Sequence, residues 1–371
     1  MDRFTAARGL ARLPRELMDM VIGNLEHDQT SLSRLSRTCR LFQDIIPPHL
    51  YSWVVLRENK CEGFAAAIDR VPKRAEYVKN LAIHCHYLIK DDKDWNARLA
   101  QTLPPTLGRL MRLPNLKSLA VIGASVGDSD FQQCFTDKHR RASNSLEEIL
   151  LLSCDLSPAA LGEIVSLPKA LRRLTITGGV PGVQYYDGQR PRHMKTNHQL
   201  YIDQIEQKAA SLIELEFDIC LIHPESNSPV DLQRLSAVET LQMRASALQG
   251  NNGRGRPGSG GGMLHNLAEN LLPRSLKDLT VWELSWRSFQ QLQLTYVSTL
   301  GGWFKKGQLP ALESVTLVGG LVYNWALMKN PEREFNGEVE VHSASWDAKL
   351  SECPLGCGCG AYRRHLQFWD Q

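Results

Sequence analysis

The sequence predicts an α/β fold in which an N-terminal three-helix module precedes an irregular solenoid of parallel strands, with helices and loops on its outside. Two observations predict it. The first sixty residues place apolar residues at helical spacing, and an eleven-residue frame with alternating apolar positions then recurs eight times along the chain. One such unit cannot bury its own apolar face, so neighbouring units must stack.

The helical module is predicted from two amphipathic segments. Pro14 suits the first position of a helix, because its missing N–H costs nothing there, and this helix should run to about Leu25. The segment 31–46 predicts one continuous second helix, because its apolar residues follow one another at spacings of 3, 4, 3 and 4: Leu32, Leu35, Cys39, Phe42 and Ile46. Pro47 and Pro48 should end it.

Residues 12–56 resemble the F-box motif, through Leu13-Pro14-x-Glu16-Leu17 and the apolar residues that follow. The resemblance implies that the module docks onto the Skp-type adaptor of a cullin RING ubiquitin ligase. It carries over ten adaptor-binding candidates: Leu13, Pro14, Glu16, Leu17, Ile22, Leu25, Leu32, Leu35, Cys39 and Phe42. The sequence departs from the family at Ser31-Leu32, where Asp-Leu is usual. The alternative is a helical cap that only closes the repeat array.

The repeating frame is L-x-x-L-x-L-x-x-N/C-x-L, and residues 146–156 and 212–222 fill every position. Weaker copies begin at Val78, Leu116, Leu171, Val238, Leu276 and Leu312. The alternating apolar residues predict a short strand in each copy. The side chains of Cys154 and Cys220 should turn inward and hydrogen-bond to backbone groups where the strand ends. Residues 157–167 predict a helix in the outer layer. The pattern resembles a leucine-rich repeat over about residues 70–325; the alternative is an ordinary α/β domain.

These patterns divide the chain into an adaptor-binding module (1–60), a repeat domain (61–330) and a C-terminal tail (331–371). Two insertions, at 180–208 and 250–262, are rich in Gly, Pro and polar residues and should be mobile loops. The first carries aromatic and basic side chains that would suit a recognition loop, although a tolerated surface insertion is the favoured interpretation.

Composition excludes several function classes. A formal net charge of +3 without long charge blocks argues against a nucleic-acid binder, and no apolar stretch approaches the roughly 20 residues that span a bilayer. The N-terminus has no apolar core of a secretion signal. The 9 cysteines form no disulfide framework for a chain of this length. We therefore expect a reducing compartment, cytoplasm or nucleus.

One motif formally suggests catalysis. Residues 123–127 match G-x-S-x-G, which would make Ser125 the nucleophile of a serine hydrolase. The repeat frame already explains Ala124 and Val126, however, and no oxyanion-type glycine run precedes them. Residues 253–258 match G-x-G-x-x-G without the strand and helix that a dinucleotide site needs. We expect neither an enzyme nor a bound cofactor.

The tail contains a candidate metal site. Three thiols and an imidazole are a possible tetrahedral zinc set: Cys353, Cys357, Cys359 and His365. Their spacing is not C-x-x-C, and unliganded thiols in a glycine-rich tail are the favoured interpretation.

Together, the two resemblances imply a non-catalytic substrate receptor of a ubiquitin ligase, whose repeat array binds a protein target. In the later copies of the frame, the side chains that alternate with the buried apolar residues lie on the opposite face of the strand. These are the target-binding candidates: Glu216, Asp218, Gln242, Arg244, Thr280 and Trp282. The alternative is a repeat scaffold with no ligase link. The sequence does not identify the target.

Overall fold

The computed structural model describes residues 13–25, 28–85, 104–127, 145–152, 154–178, 197–219, 230–244, 247–248, 271–284, 307–319, 322–326 and 340–342. These residues form a mixed α/β architecture with one sheet of 11 strands, and the described part of the chain forms no closed barrel. The first nine strands of this sheet are parallel. The predicted parallel sheet with helices is therefore confirmed.

Four short helices open the described chain: α1 (Arg15–Gly23), α2 (Gln29–Leu35), α3 (Arg40–Ile45) and α4 (Pro47–Ser52). The predicted single helix over residues 31–46 is wrong, because the chain breaks between α2 and α3, where Cys39 is extended at φ −157° and ψ 165°. The Ser36 and Thr38 hydroxyls donate to nearby carbonyls at 2.9 and 2.8 Å. Such local bonds compete with helix continuation.

Helix α2 begins earlier than its apolar spacing indicates because Asp28 caps it. The Asp28 carboxylate accepts hydrogen bonds from the Ser31 backbone N–H at 2.9 Å and from the Ser31 hydroxyl at 2.5 Å. These bonds stabilise the charged carboxylate and lower the pKa of Asp28. Pro47, which was expected only to end a helix, is the first residue of α4.

The four helices enclose a hydrophobic cluster of their own, which is separate from the core beneath the sheet. Its buried members are Met18, Ile22, Leu32, Phe42 and Ile46. The helical unit is thus held together by its own interior.

Strand order in the large sheet follows chain order. The nine parallel strands are β1 (Trp53–Arg57), β2 (Asn80–His84), β3 (Ser118–Ile122), β5 (Glu148–Leu152), β7 (Arg173–Gly178), β8 (Glu214–Ile219), β9 (Thr240–Arg244), β10 (Asp278–Leu284) and β11 (Ser314–Gly319). Strands β12 (Val322–Ala326) and β13 (Glu340–His342) extend it in antiparallel orientation. A second sheet pairs β4 (Ser125–Val126) with β6 (Asp155–Leu156). Strand β1 lies inside the segment assigned to the adaptor-binding module and adds a strand that the repeat frame did not predict.

The register of the sheet matches the repeat frame. The fourth residues of all eight copies lie side by side on neighbouring strands and are buried: Leu81, Leu119, Ile149, Leu174, Leu215, Leu241, Leu279 and Val315. Backbone hydrogen bonds between neighbouring strands recur at the same frame positions. The Glu147 carbonyl, for example, accepts from the N–H groups of Arg172 and Arg173 at 2.8 and 3.0 Å. A one-residue slip would turn every apolar side chain to the other face.

Helices cover the face of the sheet that carries these leucines. They are α5 (Cys61–Arg70), α6 (Leu107–Leu110), α7 (Pro158–Ser166) and α8 (Gln199–Ile205), with 3₁₀ turns at Glu58–Lys60, Pro72–Tyr77 and Glu206–Lys208. Helix α7 confirms the predicted outer-layer helix, and the Ser157 hydroxyl caps it by accepting from the Ala160 N–H at 3.1 Å. Helix α8 corrects the predicted loop at 180–208, since it buries Tyr201, Ile202 and Ile205. Residues 180–196 of that insertion, and all of 250–262, lie outside the described residues.

The inward turn position of the frame is occupied as predicted by Cys154, which is only 1% exposed. Its Sγ lies 3.5 Å from the Val121 carbonyl oxygen and 3.4 Å from that of Leu152, so the thiol donates to the backbone where neighbouring strands end. In the preceding repeat Gly123 makes the turn with φ 71°, which only glycine adopts without strain. Cys220 lies outside the described residues.

Candidate functional site

The first candidate site is an apolar strip on the N-terminal helices, which we call the adaptor surface and define as Leu13, Pro14, Glu16, Leu17 and Met20. Helix α1 turns Met18 and Ile22 into the helical cluster and leaves Leu17 46% and Met20 66% exposed. Leu13 packs partly against the cluster. Large apolar side chains exposed together on a helix that is already packed on its other side are typical of a binding surface.

The structure divides the ten residues carried over from the F-box resemblance. Ile22, Leu32 and Phe42 are buried within the helical cluster, so they shape the unit and do not lie on its surface. Leu25, Leu35 and Cys39 are half-buried against the same cluster. Leu13 is half-buried in the same way, and Pro14, Glu16 and Leu17 are exposed. Met20 was not singled out from the sequence, because its exposure depends on which face of α1 packs inward.

The second candidate site is the face of the large sheet opposite the helices, formed by frame positions 5 and 7. Its composition changes along the array. On β2, β3 and β5 these positions are buried. Position 7 of β2 is His84, and the other five are apolar and form a small cluster of their own: Ala82, Ala120, Ile122, Leu150 and Leu152. This part of the face is therefore already covered. The signal was present in the sequence as apolar residues at alternating positions of three successive copies.

From β7 onward the same face becomes polar. We call this half the target face and define it by the half-buried side chains at frame position 5: Thr175, Glu216, Gln242, Thr280 and Thr316. The backbone register places them on five neighbouring strands. The Thr175 hydroxyl donates to the Glu216 carboxylate at 3.4 Å. A partner would meet hydrogen-bonding groups there, with one carboxylate among them.

Three predicted target-binding residues lie at frame position 7. Asp218 is half-buried on β8. Arg244 and Trp282 are register partners on β9 and β10, so the backbone brings them together as predicted, but their side chains lie outside the described part of the structure. Glu216, Gln242 and Thr280 are neighbours through the pairings Glu216↔Gln242 and Gln242↔Thr280. Five of the six candidates thus occupy adjoining strand positions, and Asp218 follows Glu216 on β8.

Ser125, the candidate nucleophile, lies in the short sheet β4–β6 and is 5% exposed. Its hydroxyl donates a 3.1 Å hydrogen bond to the Asp155 carboxylate. A serine nucleophile needs space for a substrate carbonyl beside its hydroxyl, whereas Ser125 is buried between two neighbouring copies of the frame.

The tail candidates for zinc, Cys353, Cys357, Cys359 and His365, lie outside the described residues. Within the described ranges, no group of three or more His, Cys, Asp or Glu side chains is placed to hold a metal ion. No helix in those ranges has the length and apolarity needed to cross a membrane.

No protein-family model matches this sequence, and the search of curated proteins finds no match.

Proposed function

We propose that this protein is a non-catalytic substrate-recognition subunit of a Skp-cullin-F-box ubiquitin ligase. In this role the helical unit docks the adaptor and the repeat array holds a protein target, while ubiquitin transfer belongs to other subunits. The observation that carries the proposal is the adaptor surface, because Leu17 and Met20 remain exposed on a helix whose opposite side is already packed.

The adaptor surface supports docking for an energetic reason. Burying a large aliphatic side chain stabilises a complex by about 1.5–3 kcal/mol relative to leaving it exposed. Leu17 and Met20 lie on the first helix beside the Leu13-Pro14 motif, which is the segment that the F-box resemblance assigns to adaptor contact. Arg15 and Asp19 flank them as a solvated i, i+4 pair with N and O atoms 4.0 Å apart, which suits the polar rim of an interface.

The target face supports the second half of the proposal. Parallel strands in constant register present one side chain per strand at each frame position, and such a surface suits an extended protein segment. Its polar composition favours a target that donates and accepts hydrogen bonds. Holding such a target near the transferring enzyme raises its effective concentration there without any chemistry by this chain.

A repeat scaffold with no ligase link is the alternative, and adaptor capture separates the two. Purified Skp-type adaptor is tested for capture by the full chain, by Leu17→Ala with Met20→Ala, and by Leu13→Ala with Pro14→Ala. We expect the wild type to capture adaptor and both double variants to weaken capture at least about tenfold, since two buried contacts are lost in each.

Leu200→Ala is the matched control, because Leu200 on α8 is 42% exposed and lies far along the chain from the adaptor surface. It should capture adaptor like the wild type. Folded double variants that retain full capture would remove the F-box assignment. A wild type that captures no adaptor would leave the scaffold alternative.

A further inference from the structure

A polar cleft of about 270 Å³ opens at the start of five neighbouring strands. It adjoins the target face, because Arg173 and Glu214 precede Thr175 and Glu216 by two residues on β7 and β8. Its central row consists of the first residue of each strand: Asn80 on β2, Ser118 on β3, Glu148 on β5, Arg173 on β7 and Glu214 on β8. The register pairs each of these residues with the next. Neighbouring strands lie about 4.8 Å apart, so the row brings five polar side chains into one continuous line.

Ser118 is the unusual member of this row. It is 4% exposed, and within the described structure its buried hydroxyl has no hydrogen-bond partner. A buried hydroxyl without a partner destabilises a fold, so its presence calls for an explanation. A ligand group that enters the cleft and bonds this oxygen would supply the missing partner.

The side chains beside Ser118 indicate which charge a ligand group in the cleft would carry. The Asn80 side-chain amide donates a hydrogen bond to the Ser52 carbonyl at 3.5 Å, and its amide oxygen remains as an acceptor. Glu148 is half-buried, and the described residues offer it neither an ion pair nor a side-chain hydrogen bond. The nearest cation in the row, Arg173, already pairs with Glu214 at 3.1 Å. The interior of the cleft therefore presents three acceptors, and the Glu148 carboxylate forms no ion pair among the described residues.

The rim has a different character. Lys117, Glu147 and Arg172 are exposed and line the mouth of the cleft. They directly precede the neighbouring strands β3, β5 and β7 and alternate in charge. Their carboxylate and cations contact solvent and are screened by it. A cation is therefore favoured inside, next to Glu148, whereas the two rim cations favour an acidic group just outside it.

We propose that this cleft binds the basic side chain of a protein segment, a lysine or arginine that is followed or preceded by an acidic residue. The Ser118 hydroxyl oxygen, the Asn80 amide oxygen and the Glu148 carboxylate accept its N–H groups, which matches the three donors of an ammonium group. The volume lies just below the roughly 300–1,000 Å³ of drug-sized pockets, so one side chain fills it. The inference deepens the proposed function, on which it rests, by naming a recognition signal in the target.

Binding is measured on the full-length chain by isothermal titration with three acetylated and amidated pentapeptides. They share glycine flanks and differ at the centre, which is lysine, glutamine or glutamate. We expect the lysine peptide to bind with a Kd on the order of 1 mM, and the other two to bind at least about tenfold more weakly. A glutamate preference would overturn the proposal, because it would make the rim cations the recognising groups. Equal or absent binding of all three would also overturn it.

Glu148→Gln tests the interior charge, with Glu147→Gln as its matched control on the adjacent residue. We expect about tenfold weaker lysine-peptide binding for Glu148→Gln, since a charge-assisted hydrogen bond is replaced by a neutral one, and less than a twofold change for Glu147→Gln. Equal losses in the two variants would show rim attraction only and would overturn the assignment.

Ser118→Ala supplies a second measurement that does not depend on the peptide. Because the hydroxyl has no partner within the described structure, its removal should leave the urea midpoint unchanged or raise it, while weakening lysine-peptide binding about fivefold. A lowered midpoint would mean that the hydroxyl has a structural bond and would overturn the site. Peptide binding tests the cleft, and adaptor capture tests the ligase role. A protein that binds the lysine peptide but does not capture adaptor would contradict the ligase role and support the cleft as a binding site.

Discussion

The Tyr201 hydroxyl donates a 2.7 Å hydrogen bond to the backbone carbonyl of Leu156, which joins helix α8 to strand β6 across 45 residues of sequence. Tyr201 is among the largest fully buried side chains of the described structure, and its ring packs against Phe217 on β8 with centroids 6.1 Å apart. These contacts attach the end of the first insertion to strands of both sheets.

Tyr201→Phe should lower the free energy of unfolding by about 1–2 kcal/mol, because it leaves the Leu156 carbonyl buried without its donor. Urea titration followed by far-UV circular dichroism measures the change. Tyr77→Phe is the control, since the half-buried Tyr77 hydroxyl bonds to nothing in the described structure. Equal effects of the two substitutions would contradict the assigned bond.

Ile22→Ala and Leu17→Ala should differ in stability although both residues lie on α1. Ile22 is buried in the helical cluster, and its truncation should cost about 2–4 kcal/mol through lost burial and a cavity. Leu17→Ala should change the free energy of unfolding by less than about 0.5 kcal/mol. Thermal and urea unfolding report both values. A destabilised Leu17→Ala variant would place Leu17 in the core and undermine the adaptor surface.

Cys154 should react slowly with alkylating reagents in the native protein. Burial raises the pKa of its thiol to about 12, and the thiolate is the reactive form. Iodoacetamide at pH 8, followed by peptide mass spectrometry, should label the half-buried Cys39 well before Cys154. Rapid labelling of Cys154 without unfolding would shift the register of the repeat frame.

The same thiol predicts a loss of stability at alkaline pH. In the unfolded chain Cys154 loses its proton near its ordinary pKa of 9.0, whereas in the folded chain it keeps the proton to about 12. The stabilising effect is therefore complete below pH 9 and is lost as the pH rises from 9 toward 12. The free energy of unfolding should decrease between pH 8 and pH 10 in both proteins. We expect this decrease to be about 1 kcal/mol smaller for Cys154→Ala than for the wild type. Parallel pH profiles for the two proteins would refute this.

Gly162 lies inside helix α7, where Gly162→Ala brings two opposing effects. Alanine favours a helix by about 1 kcal/mol over glycine, but its Cβ would meet the end of the Gln204 side chain on α8. We expect little net change in the wild type and a gain of about 0.5–1 kcal/mol when Gln204→Ala is also present. A double-mutant cycle by urea unfolding measures the coupling, and strict additivity would exclude the contact.

The repeating frame and its register could be predicted from the amino-acid sequence alone. The alternation of apolar residues needs no tertiary knowledge, because a period of two within each copy and a constant frame across copies place Leu81, Leu119 and Ile149 on one line. The helix α7 followed from the helical spacing of Leu161, Ile164 and Leu167. These signals are local, and eight repetitions reinforce them.

Which apolar side chains are buried, and which polar side chains become neighbours, depends on tertiary packing and could not be predicted. Ile22 and Leu17 share one amphipathic helix, and their burial differs because α1 packs on one side. Helix α8 was missed because its few apolar residues become significant only when Tyr201 reaches Leu156. Ser118 and Glu148 lie 30 residues apart in sequence and become neighbours through strand pairing, since non-local contacts are set by the order in which strands add to the sheet.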